Sequence, residues 1–195
     1  MNENTFNSQT MLKPITRNFK GLIIVSGSIK SGKSKLAEFL VKEQESITYI
    51  ATSKPRLNDP EWERKITAHR KRRPISWNLV EHPPDICNEI ESIGDRTTFL
   101  IDSLGGLVEQ YLMENNDQWE RTQGKFIRCF LNNKFGIIIV SEEIGWGIVP
   151  ATPIGHLFRE RLTTLSSILC KQASKRWLAV NGIAIELDKI GSKIP

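Results

Sequence analysis

The sequence predicts an α/β fold, with a mostly parallel central sheet flanked by helices and a β-hairpin near the C-terminus. Two observations carry this reading. Strand-like and helix-like stretches alternate between turn residues at the spacing of a helix-covered parallel sheet. Several strand candidates are also short, continuous apolar runs, as expected of strands buried on both faces.

In chain order, residues 1–20 (MNENTFNSQTMLKPITRNFK) lack the apolar core of a secretory signal and read as a polar N-terminal extension, mobile or loosely packed. The domain proper then runs over residues 21–195. Gly21 to Ser26 (GLIIVS) is the first strand, and Lys33 to Lys42 is a helix with Leu36, Leu40 and Val41 on one face. Ile47 to Ala51 (ITYIA) is the second strand. A helix is expected from Pro60 to about Lys71, with Asp59 as its cap and Pro60 in its first turn. Pro74 should end it, leaving Ser76 to Val80 extended. Thr97 to Ile101 (TTFLI) and Gly136 to Val140 (GIIIV) read as further buried strands, ending next to Asp102 and just before Glu142 and Glu143. Ile154 to Ala173 is helical in pattern, and Arg176 to Asn181 and Ile183 to Leu187 form two strands joined tightly at Gly182.

Composition narrows the function. A chain of 195 residues suits one compact domain, and 39% hydrophobic with 25% charged residues is ordinary for a globular protein. No apolar run approaches the roughly 20 residues of a membrane span, so a cytoplasmic protein is expected. Cys87, Cys129 and Cys170 are odd in number and far apart, and read as reduced, largely buried thiols. A net charge of +5 suits an anionic ligand, a nucleotide or a nucleic acid, without choosing between them.

The residues Gly27, Ser28, Ile29, Lys30, Ser31, Gly32, Lys33 and Ser34 fit the phosphate-binding pattern G-x-x-x-x-G-K-[ST], between a predicted strand and a predicted helix. The chemistry follows from geometry. Such a loop turns consecutive backbone N–H groups onto a phosphate at a helix N-terminus, and Lys33 reaches the terminal phosphates. Ser34 offers a hydroxyl to Mg²⁺, and Asp102, at the end of another strand, is placed to hold the same ion. The bland alternative for Asp102 is a solvated carboxylate capping the helix that starts near Ser103.

His69 lies near the end of the expected Pro60 helix, directly before Arg70, Lys71, Arg72 and Arg73. A neutral imidazole among cations is suited to attack a nucleotide α-phosphate and form a phosphoramidate. The alternative is an exposed histidine on a basic helix end, where positive charge complements the helix dipole. The basic run also suits a nucleic-acid backbone, but no RNA-binding motif or aromatic platform accompanies it.

From about Leu22 to Leu187 the chain resembles the bifunctional adenosylcobinamide kinase / adenosylcobinamide-phosphate guanylyltransferase family of cobalamin biosynthesis. The resemblance rests on GSIKSGKS, YIATS at Tyr49 to Ser53, I-x-x-H-R-x-x-R-P at Ile66 to Pro74, and W-x-x-V-E at Trp77 to Glu81. It continues with LID at Leu100 to Asp102 and E-x-G-x-G-I-V-P from Glu143 to Pro150. It implies a RecA-like P-loop enzyme, assembled as a homotrimer, that phosphorylates adenosylcobinamide with ATP or GTP and Mg²⁺. The same enzyme would then pass GMP from GTP through His69 to give adenosylcobinamide-GDP. It also carries nucleotide contacts onto Thr52, Ser53, Lys54, Arg70 to Arg73, Glu81 and Asp102.

The chain departs from the family pattern at named positions. Ser28 replaces a glycine, and Lys30 replaces an arginine, losing the planar fork but keeping the charge. Glu142 stands where the family commonly has asparagine. Thr163, Thr164, Ser166 and Ser167 replace a glycine, an arginine and an N-Q pair. A divergent P-loop kinase without guanylyltransferase activity, or a nucleotide-binding protein that is not an enzyme, are the alternative readings. Gly145 and Gly147, around Trp146, read as a loop that approaches a ligand or as a simple turn. Trp62, Trp77, Trp119 and Trp177 read as packing residues. His82 and His156 read as surface histidines.

Overall fold

The computed structural model describes residues 12–55, 59, 60, 64, 67, 72–147 and 149–194. Its strands are β1 (Gly21–Gly27), β2 (Ile47–Ala51), β3 (Asn78–Glu81), β4 (Thr98–Asp102), β5 (Gly136–Glu142), β6 (Lys175–Val180) and β7 (Ile183–Glu186). They form one sheet in the order β3-β2-β4-β5-β1-β6-β7. Every neighbouring pair is parallel except β6 and β7, the hairpin.

The helices whose full span lies among the described residues are α1 (Lys33–Val41), α2 (Ile86–Ile93), α3 (Leu104–Gln110), α4 (Asn116–Phe130), α5 (Pro153–Gln172) and the short α6 (Leu187–Ile190). Strand alternation decides which helices each side chain meets. Leu22 and Ile24 of β1 point into a core with Leu107, Phe126, Phe130 and Leu165. Ile23 and Val25 point the other way, against Leu36, Ala37, Leu40 and Val41 of α1. β1 and β5 are buried almost throughout because helices cover both faces.

Several elements differ from the sequence reading. The extended segment near Ser76 becomes a four-residue edge strand starting at Asn78. α2 and α4 were not anticipated. Asp85 caps α2 by accepting the Cys87 and Asn88 N–H groups, each at 3.1 Å. α4 opens with a reciprocal capping box between Asn115 and Gln118. Residues 12–20 of the expected loose extension are tied down. Ile15 is buried and donates its N–H to Leu40 at 2.9 Å, and the Gln44 side chain donates to Thr16 O at 2.8 Å.

Of the helix expected from Pro60, the described residues Pro60, Arg64 and Thr67 are helical, and so is Arg72. His69, Arg70, Lys71 and Trp62 lie outside the described residues.

Candidate active site

β1 ends at Gly27, and the chain turns through an exposed Ser28, Ile29 and Lys30 into α1. Lys30 and Gly32 take left-handed backbone angles, φ 59° and φ 100°, which bend the loop back over the helix start. Ser31 N–H donates to Ser28 O at 3.2 Å, and Lys33 Nζ donates to the same carbonyl at 3.2 Å. The hairpin supports the loop from beside it: Gly182 N–H donates to Ser31 O at 3.0 Å. Gly27 admits no side chain, since a Cβ would lie 2.5 Å from both Ala179 O and Ser31 Oγ. Ser31 Oγ is buried with no hydrogen-bond partner among the described residues.

The strand ends beside the loop are joined by a polar network. Thr52, fully buried after β2, donates through Oγ1 to Ser103 O at 2.6 Å and accepts Ser103 N–H at 2.7 Å. Glu142, at the end of β5, accepts from Ser103 Oγ and from Gly105 N–H. Ser103, not Asp102, occupies the α3 cap position, and the Glu142 carboxylate accepts one N–H of the first turn, that of Gly105. Asp102 instead accepts the Tyr49 hydroxyl at 2.5 Å. Burial above all, then the charge of Asp102, pushes the Tyr49 phenol well above its ordinary pKa.

The end of the basic run is docked on this frame. Arg72 forks onto Glu38 of α1, with Nη2 to Oε1 at 3.1 Å and Nε to Oε2 at 3.3 Å. Glu38 lies one turn after Ser34. The Arg73 guanidinium sits 3.5 Å from the Tyr49 ring centroid, with Nε buried and unpartnered among the described residues. The structure thus brings Lys33, Ser34, Thr52, Asp102, Arg72 and Arg73 to the carboxyl-end side of the sheet. Ser53 is half-buried and Lys54 exposed just after β2, and Glu81 is exposed at the end of β3 opposite Ala51.

Sequence reasoning missed three residues of this network. Tyr49 and Glu142 act through partners far away in sequence. His82 is not the surface histidine expected: it is half-buried, and its Nδ1 lies 3.0 Å from Thr52 O. Its φ of 46° is an unusual angle for a side-chain-bearing residue and places the ring against β2. His156 is exposed, as expected.

After β5, Glu143 N–H returns to Gly27 O at 3.0 Å, and the following loop exposes Trp146. Arg159 of α5 holds that loop through Gly145 O at 3.0 Å. Of the hydroxyl residues on α5, Thr163 bonds back to Arg159 O at 2.8 Å and Ser166 meets Ser141 at 3.2 Å, while Thr164 and Ser167 are exposed. Cys87 and Cys129 are buried free thiols, and Cys170 is half-buried.

A glycine-rich loop between the first strand of a parallel sheet and its helix, with an acid ending another strand, defines a P-loop NTPase-like protein. Solved structures agree at the level of fold. A protein of Pyrococcus horikoshii OT3 superposes with a TM-score of 0.52 at 8% identity, covering 90% of this chain and 91% of its own. An ATPase of a bacterial type III secretion system also gives 0.52 at 8% identity, covering 89% of this chain and 59% of its own.

The chain belongs to the cobinamide kinase / cobinamide phosphate guanyltransferase family, whose description matches residues 23–187. It is 30% identical to the bifunctional adenosylcobalamin biosynthesis protein CobU of Salmonella typhimurium, over 85% of this chain and 99% of that protein. Identity to CobU of Escherichia coli K12 is 27%, with the same coverage, and to CobP of Pseudomonas aeruginosa 28%, over 84% of this chain and 95% of that protein. Membership places the chain among nucleotide-dependent enzymes of cobalamin biosynthesis. Among the described residues, no helix is long and apolar enough to cross a membrane.

Proposed function

We propose that this protein phosphorylates adenosylcobinamide with ATP or GTP and then converts the product to adenosylcobinamide-GDP through a guanylylated His69. The observation that carries the reading is the docking of Arg72 and Arg73, which follow His69 closely, on Glu38 of the P-loop helix and on the tyrosine that bonds Asp102. Both chemistries then use one end of the sheet.

In the first reaction the aminopropanol hydroxyl attacks the γ-phosphorus, the bond to the β–γ bridging oxygen breaks, and the nucleoside diphosphate leaves as the alcohol loses its proton. Lys33 and the loop amides neutralise charge on the phosphates. In the second, the His69 imidazole attacks the GTP α-phosphorus and pyrophosphate leaves. A phosphate oxygen of adenosylcobinamide phosphate then displaces the imidazole, breaking the P–N bond and restoring His69.

Magnesium suits these residues. Among the described residues no cluster of three or more acids, histidines or cysteines could hold an ion alone, and Mg²⁺ in nucleotide sites takes one or two oxygen ligands from protein and the rest from phosphate and water. Ser34 and Asp102 would hold it, and it would supply charge neutralisation between the phosphates. Thr52, Ser53, Lys54, Arg70, Lys71 and Glu81 are proposed to line the nucleotide, in a cytoplasmic homotrimer.

The test is labelling. With α-labelled GTP and Mg²⁺ the protein should take up acid-labile, base-stable label that is absent in His69→Ala. Label that persists in that variant rules out His69. The replaced positions on α5, Thr163 to Ser167, favour a second reading, a kinase without guanylyl transfer, which would phosphorylate its acceptor and never carry label.

A further inference from the structure

Tyr49 carries a hydroxyl into the middle of a buried strand, where only 1% of its surface is exposed. A phenylalanine would fill that volume without a polar atom to satisfy, so the hydroxyl stands there for its partner, Asp102 Oδ2 at 2.5 Å. The ring is equally committed. One face receives the Arg73 guanidinium at 3.5 Å, and Trp77 stacks at 6.4 Å with 25° between planes. The two contacts reinforce each other. A cation over the ring draws electron density from the phenol and makes its O–H a better donor, while the carboxylate at the hydroxyl restores the negative ring face that attracts the cation. Neither contact is local in sequence, so the Tyr49 side chain is the point at which residues 73 and 102 meet.

We propose that Tyr49 is a positioning residue: its hydroxyl orients the Asp102 carboxylate toward a nucleotide-bound divalent cation, and its ring seats Arg73, which fixes the end of the segment that carries His69. The inference rests on the metal and guanylyl roles given above and adds that one side chain aligns both. A carboxylate accepts at about four lone-pair sites, so the Tyr49 bond does not exhaust Asp102. Holding one oxygen fixes the side-chain rotamer before the cation arrives, which removes an ordering cost from metal binding. The guanidinium lies over the ring at 3.5 Å, and its Nε is buried without a hydrogen-bond partner among the described residues.

The experiment uses the full chain, Mn²⁺ as the probe, and electron paramagnetic resonance to follow its uptake with saturating ADP. Tyr49→Phe keeps the ring and removes the hydroxyl. It should melt as a cooperative fold, bind ADP without metal as the wild type does, and bind Mn²⁺ about tenfold more weakly, the scale of one hydrogen bond to a charged group. At saturating Mn²⁺ it should still acquire label from α-labelled GTP. Tyr49→Leu, or Tyr49→Met if the leucine variant gives no cooperative melt, also removes the seat for Arg73 and should lose labelling even at saturating Mn²⁺. Equal Mn²⁺ affinity in wild type and Tyr49→Phe overturns the orienting role. Full labelling of the leucine or methionine variant overturns the seating role. If the wild type takes up no Mn²⁺ with ADP, the metal reading itself is wrong and the orienting role falls with it.

Discussion

Glu142 Oε2 accepts the backbone N–H of Gly105 at 3.0 Å, so a carboxylate at the end of β5 closes the first turn of the helix that follows Asp102. The approach is close enough that a Cβ on Gly105 would lie 2.6 Å from that oxygen. Read in sequence, Glu142 is only a second negative charge beside Glu143. In three dimensions it satisfies the Gly105 N–H, one of the helix donors that lack an intrahelical acceptor, and it complements the positive end of the helix dipole.

Glu142→Ala should therefore lower stability by about 0.5–2 kcal/mol, the range for a lost N-terminal cap. Glu142→Gln keeps an acceptor for Gly105 and should lose less than the alanine variant. The check is a urea titration of each variant: the midpoint should fall in that order while the slope stays the same. An alanine variant as stable as the wild type would show that the cap contributes nothing.

Arg161 is the buried cation of α5. Its guanidinium donates to Tyr111 O at 3.1 Å, Leu112 O at 3.0 Å and Glu114 O at 2.7 Å, closing the turn after α3. It also lies 4.9 Å from the Trp119 ring centroid. Arg161→Met keeps much of the volume but takes the guanidinium from all three carbonyls, of which only Tyr111 O keeps another donor among the described residues, the Glu114 N–H at 3.1 Å, and should cost about 3 kcal/mol. Arg161→Lys, without the planar fork, should recover only part of that loss. Thermal melting of both variants measures it.

The Asp85–Lys125 pair gives a pH signature. Burial is the largest influence on Asp85 and raises its pKa, but the Lys125 hydrogen bond and the N–H groups of Asn88 and Cys87 together hold it below the ordinary 3.8. Lys125 is raised above its ordinary 10.5, chiefly by its hydrogen bond to Asp85. The sign follows from linkage. The carboxylate's contribution is present above 3.8 and is lost as pH falls through its folded value; the ammonium's is present below 10.5 and is lost as pH rises through its own. Both groups are partly exposed, so Lys125→Met should cost less than about 1 kcal/mol at neutral pH. Urea midpoints collected from acid to alkaline pH should show the wild type and the variant converging at both extremes; a constant gap would show that the difference is not ionic.

What the sequence disclosed follows from the range of the interactions. The loop at Gly27 to Ser34, the buried strands around Ile23 and Ile138, and the tight hairpin at Gly182 are written in neighbouring residues. α4 was legible in the same way: its buried residues Trp119, Phe126, Cys129 and Phe130 recur at helical spacing among polar ones, and the Asn115 and Gln118 box marks its start, so its signal lay unread in neighbouring residues. The site network was not. The bonds Tyr49 to Asp102, Glu142 to Gly105 and Arg72 to Glu38 each join residues more than thirty positions apart. They depend on strand order, and no periodicity in the chain encodes the order β2-β4-β5-β1.

Lys33 separates binding chemistry from fold. Its ammonium donates to the Ser28 carbonyl at 3.2 Å in an exposed loop, a bond of little weight for stability. A triphosphate offers charged oxygens in place of that neutral carbonyl, so the ammonium gains the attraction of opposite charges on top of the hydrogen bond. Lys33→Met should leave the melting transition within about 0.5 kcal/mol of the wild type, while phosphorylation of the acceptor falls by about 10²–10³, the scale of one lost donor to developing charge. Lys33→Arg restores the charge with a broader planar group and should recover little of the rate. Turnover measured with ATP, alongside the melt of the same preparations, decides it: a Lys33→Met enzyme that keeps its rate would place the transferring phosphate elsewhere than on this loop.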